Sequence, residues 1–319
     1  MKLYYFDNVI PNFGDELNPW LWPRLMPEVF KDERDDWYFV GIGTLINCRL
    51  PADRPIVIFG TGCGYGPVPK TVPVSWHIYG VRGPRSAEVL GLEKEAVIGD
   101  GAILLRNLAL AEAPKRHPVS FMPHFYSTIL GKWPEVCRLA GINYIDPTWP
   151  VETVLEEIRA SERLITGAMH GAIVADAFRV PWTAVRPFNE ENSFKWFDWA
   201  ESLDLGFEFA RLPASTPDEI IHDRIPWLRR QIQRAQRYGY AAAVVPEGKW
   251  EPEFARPLVP ETLRRLVPGQ VERAAEALRS CLAKPVYLSS EAAIRRVTAL
   301  LTERLDRFRR DHAAERFGG

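Results

Sequence analysis

Short runs that are apolar on both faces recur along the N-terminal part of this 319-residue chain, and amphipathic segments separate them. Such runs are typical of parallel strands covered on both sides by helices, so the pattern predicts an α/β fold. The predicted strands of this first series are residues 2–6, 37–45, 56–59, 75–79 and 96–98, and the predicted helices are 15–25 and 84–90.

A second series of the same kind follows the polar stretch 111–116, which has the character of an interdomain linker. We therefore predict two Rossmann-like domains, over residues 1–112 and 113–212, that face a cleft. Ligands of such domains usually bind at the carboxyl ends of the strands. The second series predicts strands at 119–122, 142–145, 163–166 and 182–185, and helices at 134–140, 151–160 and 171–178.

Residues 213–319 differ in composition, with Arg, Glu, Ala and Leu at helical spacing. They predict a helical tail that packs back on the two domains. Its predicted helices are 220–238, 260–282 and 290–310, and a proline-containing loop is predicted at 246–257.

Composition excludes several classes of protein. The 40 Lys and Arg balance 41 Asp and Glu, so no overall field attracts nucleic acid. The four cysteines show no CxxC spacing, and we predict neither a metal site nor a disulfide framework. No run approaches the ~20 apolar residues that span a bilayer. Because Asp7 interrupts the short apolar start, no secretory signal is predicted, and we expect a cytoplasmic protein.

The strongest local pattern is residues 163–176, an apolar strand, a short loop and a helix that begins near His170. The N-terminus of a helix attracts anions and disfavours the imidazolium form of histidine. His170 is therefore a candidate for binding or titrating against an anionic substrate. The alternative is a histidine that caps the helix or packs beside Gly167 and Gly171.

Two other loops follow predicted strands. The glycine-rich loop around Gly62 and Gly64 can bring backbone N–H groups close to a phosphate or a sugar, although it lacks the ending of a P-loop and a plain tight turn is the alternative. Arg82 and Arg85 lie between a strand and a helix, where a guanidinium group can bind phosphate or carboxylate. Solvated surface charges are the alternative for both.

Four more polar residues are candidates. Asp15, Asp100 and His124 follow predicted strands or begin helices, and they supply groups for proton transfer. A helix cap, a turn former and a packed loop residue are the respective alternatives. Lys195 is the polar candidate within the aromatic segment 188–199, whose rings are better explained as core than as a platform for sugars.

Taken in order, these motifs resemble the polysaccharide pyruvyl transferase family over about residues 2–203. The resemblance implies a glycosyltransferase-B-like fold, phosphoenolpyruvate as the donor substrate with no cofactor, a sugar acceptor and a pyruvate ketal as product. The motifs are Asn-Phe-Gly-Asp-Glu-Leu-Asn at 12–18, the glycine loop at 60–66, Val-Arg-Gly-Pro-Arg-Ser at 81–86, Ile-Gly-Asp-Gly at 98–101, Met-Pro-His at 122–124 and Met-His-Gly-Ala at 169–172.

The same resemblance implies roles for individual residues. His170 matches the histidine of the family's Arg-Leu-His motif, proposed to protonate the methylene carbon of the donor, and Asp15 or His124 is then the base for the sugar. Arg82 matches an arginine close to the donor's anionic groups. This chain carries Ala168 where the family has arginine. The replacement cation is left open among Arg82, Arg85, Arg186 and Lys195.

The resemblance further implies a lipid-linked oligosaccharide or polysaccharide as acceptor. Basic residues around 229–237 would then contact the inner face of the cytoplasmic membrane, with a solvated helix face as the alternative. Two other functions fit the same architecture. One is a glycosyltransferase that uses a nucleotide sugar, and the other is a non-catalytic glycan-binding assembly protein in which Ala168 marks lost catalysis.

Overall fold

Two parallel sheets form the framework of the part of the chain that the structure describes. The computed structural model describes residues 1–31, 37–51, 54–186, 193–225 and 269–314. Every residue of the third strand is buried, which explains why its sequence is apolar on both faces. The strands of the first sheet run in the order β1 (Lys2–Leu3), β2 (Tyr38–Val40), β3 (Ile56–Thr61) and β4 (Trp76–Val81).

The helices of the first half are α1 (Phe13–Leu25), α2 (Pro27–Phe30) and α3 (Pro84–Val89), with 3₁₀ helices at Lys94–Ala96 and Gly101–Asn107. The strand predicted at 96–98 is wrong. Val97 forms only an isolated bridge with Val81, directly after a 3₁₀ turn. Gly99, with a φ of 93°, turns the chain into the next 3₁₀ helix before a strand can extend.

The second sheet has the strand order β6-β5-β7-β8-β9, and all its pairs are parallel. The two parallel sheets confirm the predicted α/β class, while the glycosyltransferase-B-like cleft stays a prediction. The strands are β5 (Ser120–Met122), β6 (Asn143–Tyr144), β7 (Leu164–Thr166), β8 (Trp182–Arg186) and β9 (Ala210–Arg211), and the helices are α4 (Phe125–Leu130), α5 (Trp133–Ala140), α6 (Val151–Arg159), α7 (Met169–Ala177) and α8 (Ser193–Ser202).

One apolar core connects the two halves. Helix α1 packs on α6 and α7, and the 3₁₀ helix Gly101–Asn107 also packs on α7. Leu17, Ile103 and Ile173 are fully buried members of the same cluster. The predicted linker 111–116 contains no helix or strand. The segment that joins the two sheets is therefore irregular, and the helices of the two halves pack together in one core.

The described part of the tail is helical and packs on both halves. It comprises α9 (Pro217–Arg224), α10 (Gln270–Ser280), a 3₁₀ turn at Cys281–Ala283 and α11 (Glu291–Ala313). Helix α10 packs on α5, and α11 packs on β4 and on the 3₁₀ helix Gly101–Asn107. The predicted loop 246–257 and most of the helix predicted at 220–238 lie outside the described residues. Across the described ranges, no helix has both the length and the apolar character to cross a membrane.

Candidate active site

Two histidines follow the neighbouring strands β5 and β7. The chain leaves β5 toward β6 on one side of the sheet and leaves β7 toward β8 on the other. Ligands of open α/β sheets bind in the crevice at such a reversal. His124 immediately precedes α4, and His170 lies in the first turn of α7. The switch point of the second sheet thus collects two of the predicted site residues.

The turn before His170 is fixed by the side chain of Thr166. Its hydroxyl oxygen accepts a hydrogen bond from the backbone N–H of Ala168 at 3.0 Å. Gly171 is needed behind the turn, since a Cβ there would lie 2.7 Å from the Thr166 hydroxyl oxygen. This packing places the imidazole of His170 toward the first half of the molecule.

Helix α1 brings its first turn against the imidazole of His170. A Cβ on Gly14 would lie 2.2 Å from His170 Nδ1, so only glycine allows this approach. The next residue is Asp15, whose carboxylate accepts hydrogen bonds from the amides of Asn12 at 2.7 Å and Asn8 at 3.3 Å. Burial raises the pKa of Asp15 to about 6, although the Asn12 hydrogen bond and the charge of Lys195 act in the opposite direction.

Asp100 faces His170 from the first half. Its Oδ1 accepts a hydrogen bond from the N–H of Ala102 at 2.9 Å, which caps the 3₁₀ helix. Its Oδ2 lies 3.9 Å from His170 Nε2. Both atoms are buried, and neither has a hydrogen-bond partner among the described residues. The predicted turn former is thus also the acidic neighbour of the predicted catalytic histidine.

Burial moves the pKa values of these two groups in opposite directions. It raises the pKa of Asp100 to about 6, while the charge of Arg82 acts against the rise. Burial, together with the charges of Lys195 and Arg82, lowers the pKa of His170 to about 3. Buried groups lose the solvation of their charged form, which explains both directions. At neutral pH the unliganded protein therefore holds His170 as neutral imidazole.

Lys195 supplies positive charge to the same region. Its ammonium group donates a hydrogen bond to the hydroxyl of Tyr65 at 3.0 Å and lies 5.4 Å from the centre of that ring. Its charge lowers the pKa values of Asp15, His124 and His170. The charge of Lys195 therefore acts on three of the four predicted proton-transfer residues, namely Asp15, His124 and His170.

His124 follows β5, the strand next to β7, and is also neutral at physiological pH. Its Nδ1 accepts a hydrogen bond from the N–H of Tyr126 at 3.3 Å, so the predicted loop histidine caps α4. Burial, Lys195 and His222 lower its pKa to about 3. The ring of Tyr126 lies between His124 and His222, with centroids 5.5 Å and 5.0 Å away. Helix α9 of the tail thus contributes His222 to the surroundings of the site.

Arg82 organises the loops behind the site. Its guanidinium group is fully buried and donates hydrogen bonds to Asp198 Oδ2 at 2.9 Å, Thr44 Oγ1 at 2.9 Å and the carbonyl oxygens of Gly43 and Cys63. A Cβ on Gly62 would lie 2.4 Å from this group. These partners give Arg82 a structural role, and its predicted contact with a donor anion stays a prediction.

The other two candidate arginines have local partners. Arg85 forms a two-contact ion pair with Glu201 at 2.5 and 2.9 Å, and its guanidinium group lies over the ring of Phe197. Arg186 ends β8 and lies over the ring of Phe209 at 4.4 Å. Arg85 therefore joins α3 to α8 at the surface.

Sequence reasoning missed Tyr65, Tyr126, Asp198 and His222. Tyr65 stands in the predicted glycine loop between Gly64 and Gly66, both with positive φ, and its place in that loop was the available signal. The described residues contain no cluster of three or more His, Cys, Asp or Glu that could hold a metal ion. The arrangement offers paired proton donors and acceptors with a nearby cation.

By sequence comparison, this α/β chain belongs to the polysaccharide pyruvyl transferase family. The family model matches residues 28–187, half of the chain, and includes Arg82, Asp100, His124 and His170. The resemblance seen in the motifs is thereby confirmed. Among curated proteins, the succinoglycan biosynthesis protein ExoV of Rhizobium meliloti (strain 1021) is 42% identical over 222 residues, which are 69% of this chain and 70% of that protein. No solved structure matches the chain.

Proposed function

We propose that the protein transfers a pyruvyl group from phosphoenolpyruvate to a sugar of an exopolysaccharide or of its lipid-linked precursor, forms a ketal and releases phosphate. Membership of the pyruvyl transferase family and the similarity to a succinoglycan biosynthesis protein support the reaction class and the pathway. The observation that carries the proposal is the packing of Gly14 and Asp100 on His170, where Asp100 Oδ2 lies 3.9 Å from His170 Nε2 and the charge of Lys195 also acts.

The donor carries a phosphate and a carboxylate, and the site offers positive potential for both. Lys195 supplies a full charge, and the N-terminus of α7 supplies the partial charge of its N–H groups. Lys195 is therefore the cation that we assign in place of the arginine missing at Ala168. We place the donor in the predicted glycosyltransferase-B-like cleft, with the loop of Gly62 and Gly64 as a further candidate contact.

The reaction then needs one acid and one base. His170 gives a proton to the methylene carbon of the donor, which leaves a cationic centre at the adjacent carbon. A sugar hydroxyl attacks this centre while Asp15, with its raised pKa of about 6, accepts the hydroxyl proton. The carbon–oxygen bond to phosphate then breaks, a second hydroxyl of the same sugar attacks the same carbon and gives its proton to the departing phosphate, and the ketal closes. Lys195 stabilises the charge of the departing phosphate.

The test is acceptor-dependent phosphate release. Purified protein is incubated with phosphoenolpyruvate, with and without lipid-linked oligosaccharides from its own host, and the glycan mass is followed for the gain of one pyruvyl ketal. His170→Ala is expected to abolish both signals, because the acid is lost. His117→Gln is the matched control, since His117 pairs with Glu157 away from this site. Unchanged turnover in His170→Ala would remove the acid role.

The rival functions are outcomes of the same experiment. Sugar transfer from a nucleotide donor without phosphate release from phosphoenolpyruvate would identify a glycosyltransferase. Glycan binding without either reaction would identify a non-catalytic assembly protein. We place the reaction in the cytoplasm, at the inner face of the membrane, because the proposed donor is a cytoplasmic metabolite and the proposed acceptor is lipid-linked.

A further inference from the structure

Asp100 and His170 present two buried polar atoms to each other across a gap. The distance of 3.9 Å between Asp100 Oδ2 and His170 Nε2 is too long for a hydrogen bond, and neither atom has another hydrogen-bond partner among the described residues. A buried polar atom without a hydrogen bond is costly, and a catalytic role is one of the explanations for such atoms. One proton added to the pair would satisfy both atoms.

Asp100 is held in position independently of His170. Its Oδ1 is occupied by the N–H of Ala102, so Oδ2 is the oxygen that faces the imidazole. Gly60 packs against the backbone beneath, where a Cβ would lie 2.8 Å from the nitrogen of Gly101. The carboxylate is thus placed rigidly, as a residue that orients a catalytic histidine must be.

The surrounding charges keep the proton away from His170 while the site is empty. Burial lowers its pKa most, and the charges of Lys195 of α8 and Arg82 after β4 act in the same direction. The other titratable groups around the pair are Asp15 of α1, His124 after β5 and Asp198 of α8. His124 is neutral, and Asp198 is already bonded to Arg82 and Ser86. Bound anionic charge beside Lys195 would offset the positive field and favour imidazolium.

We propose that Asp100 is the positioning residue of His170, and that the pair takes up a proton from solvent when the anionic donor binds. Asp100 then accepts a hydrogen bond from Nε2–H of the imidazolium. The proton on Nδ1, the nitrogen beside Gly14, passes to the methylene carbon of the donor, and His170 returns to neutral imidazole. This inference rests on the proposed function, and it couples acid activation to occupancy by the donor.

Isothermal titration calorimetry of the full chain with phosphoenolpyruvate, without acceptor, tests the coupling. Above pH 7, in buffers of different ionisation enthalpy, we expect the uptake of about one proton per donor bound. The donor Kd should then rise about tenfold per pH unit up to the pKa of the liganded pair. In Asp100→Asn, the side-chain oxygen can still accept the hydrogen bond from the N–H of Ala102, but the neutral amide does not stabilise the imidazolium. It should lose the proton uptake, the pH dependence of the donor Kd that comes from it, and about 100-fold in kcat.

Two further variants separate this role from a structural one. Asp176→Asn alters another fully buried carboxylate of the same helix as His170, at its opposite end, and should lower stability while keeping the proton uptake. His170→Gln should lose the uptake like Asp100→Asn. Binding whose heat does not depend on the buffer, or uptake that survives in Asp100→Asn, overturns the inference alone. Absence of phosphoenolpyruvate binding overturns the proposed function with it.

Discussion

The protonation states of the side chains in the candidate site depend on their surroundings as much as on their chemical type. Burial raises the pKa values of Asp15 and Asp100 to about 6 and lowers those of His124 and His170 to about 3. A proton in the unliganded site therefore favours the carboxylates over the imidazoles, which reverses the ordinary order of these two groups. The positive charge of Lys195 favours the ionised carboxylate of Asp15 and the neutral imidazoles of His124 and His170. The unliganded site therefore carries positive charge that favours the binding of an anion.

A substitution at Gly14 tests whether the His170 ring must hold its position against helix α1. Alanine normally stabilises a helix by ~0.5–1 kcal/mol over glycine, but a Cβ here would lie 2.2 Å from His170 Nδ1 and must displace the ring. We expect Gly14→Ala to reduce kcat by about 100-fold with the protein still folded, measured by phosphate release and circular dichroism. Gly206→Ala, where a Cβ meets open space, is the control. Full activity of Gly14→Ala would show that the ring need not hold this position.

Between the elements, the buried pair of Arg82 and Asp198 connects the loops after β2, β3 and β4 to α8. Asp198 also accepts hydrogen bonds from the backbone N–H and the hydroxyl of Ser86, so α3 and α8 are tied at one carboxylate. Gly83 permits this contact, since a Cβ there would lie 1.7 Å from the carbonyl oxygen of Asp198. Helix α8 in turn carries Lys195. The arginine thereby positions the cation of the site indirectly.

Arg82→Met tests this role against the anion-binding role that the sequence predicts. Breaking a fully buried ion pair leaves Asp198 without its partner and should lower the free energy of unfolding by ~3–5 kcal/mol in urea titrations. Arg85→Met should cost less than ~1 kcal/mol, because its pair with Glu201 is exposed. A stable Arg82→Met whose only defect is a higher KM for phosphoenolpyruvate would restore the anion-binding interpretation.

The sequence predicts most of the strands and helices, but it does not predict several of the contacts between them. The runs at 56–59 and 182–185 mark their strands because parallel strands buried on both faces must be apolar throughout. The burial of Arg82 depends on Asp198, which lies 116 residues away along the chain. Likewise, local patterns identified Asp100 and His170 separately, but only the packing of α7 on the 3₁₀ helix brings them together.

In the whole molecule, the last helix completes the first half. Phe308 of α11 is fully buried against Phe39 and Tyr79 of the first sheet, and Val297 fills the space over Gly99. The apolar cluster that contains Phe308 also contains Ile173 of α7. Residues from both sheets and the tail therefore share one core, which links the stability of the candidate site to a helix that lies beyond the family match.

A shared core predicts that the described parts of the chain unfold together. Phe308→Ala removes a fully buried ring and should cost ~3–5 kcal/mol, and hydrogen exchange should show the same loss for peptides covering β3 and β7. Arg295→Ala on the exposed side of α11 is the control and should change neither peptide. The coupling arises because α11 packs on the 3₁₀ helix Gly101–Asn107, which itself packs on α7. Destabilisation confined to β3 would instead show two halves that unfold independently, with the pair of Asp100 and His170 lying across their boundary.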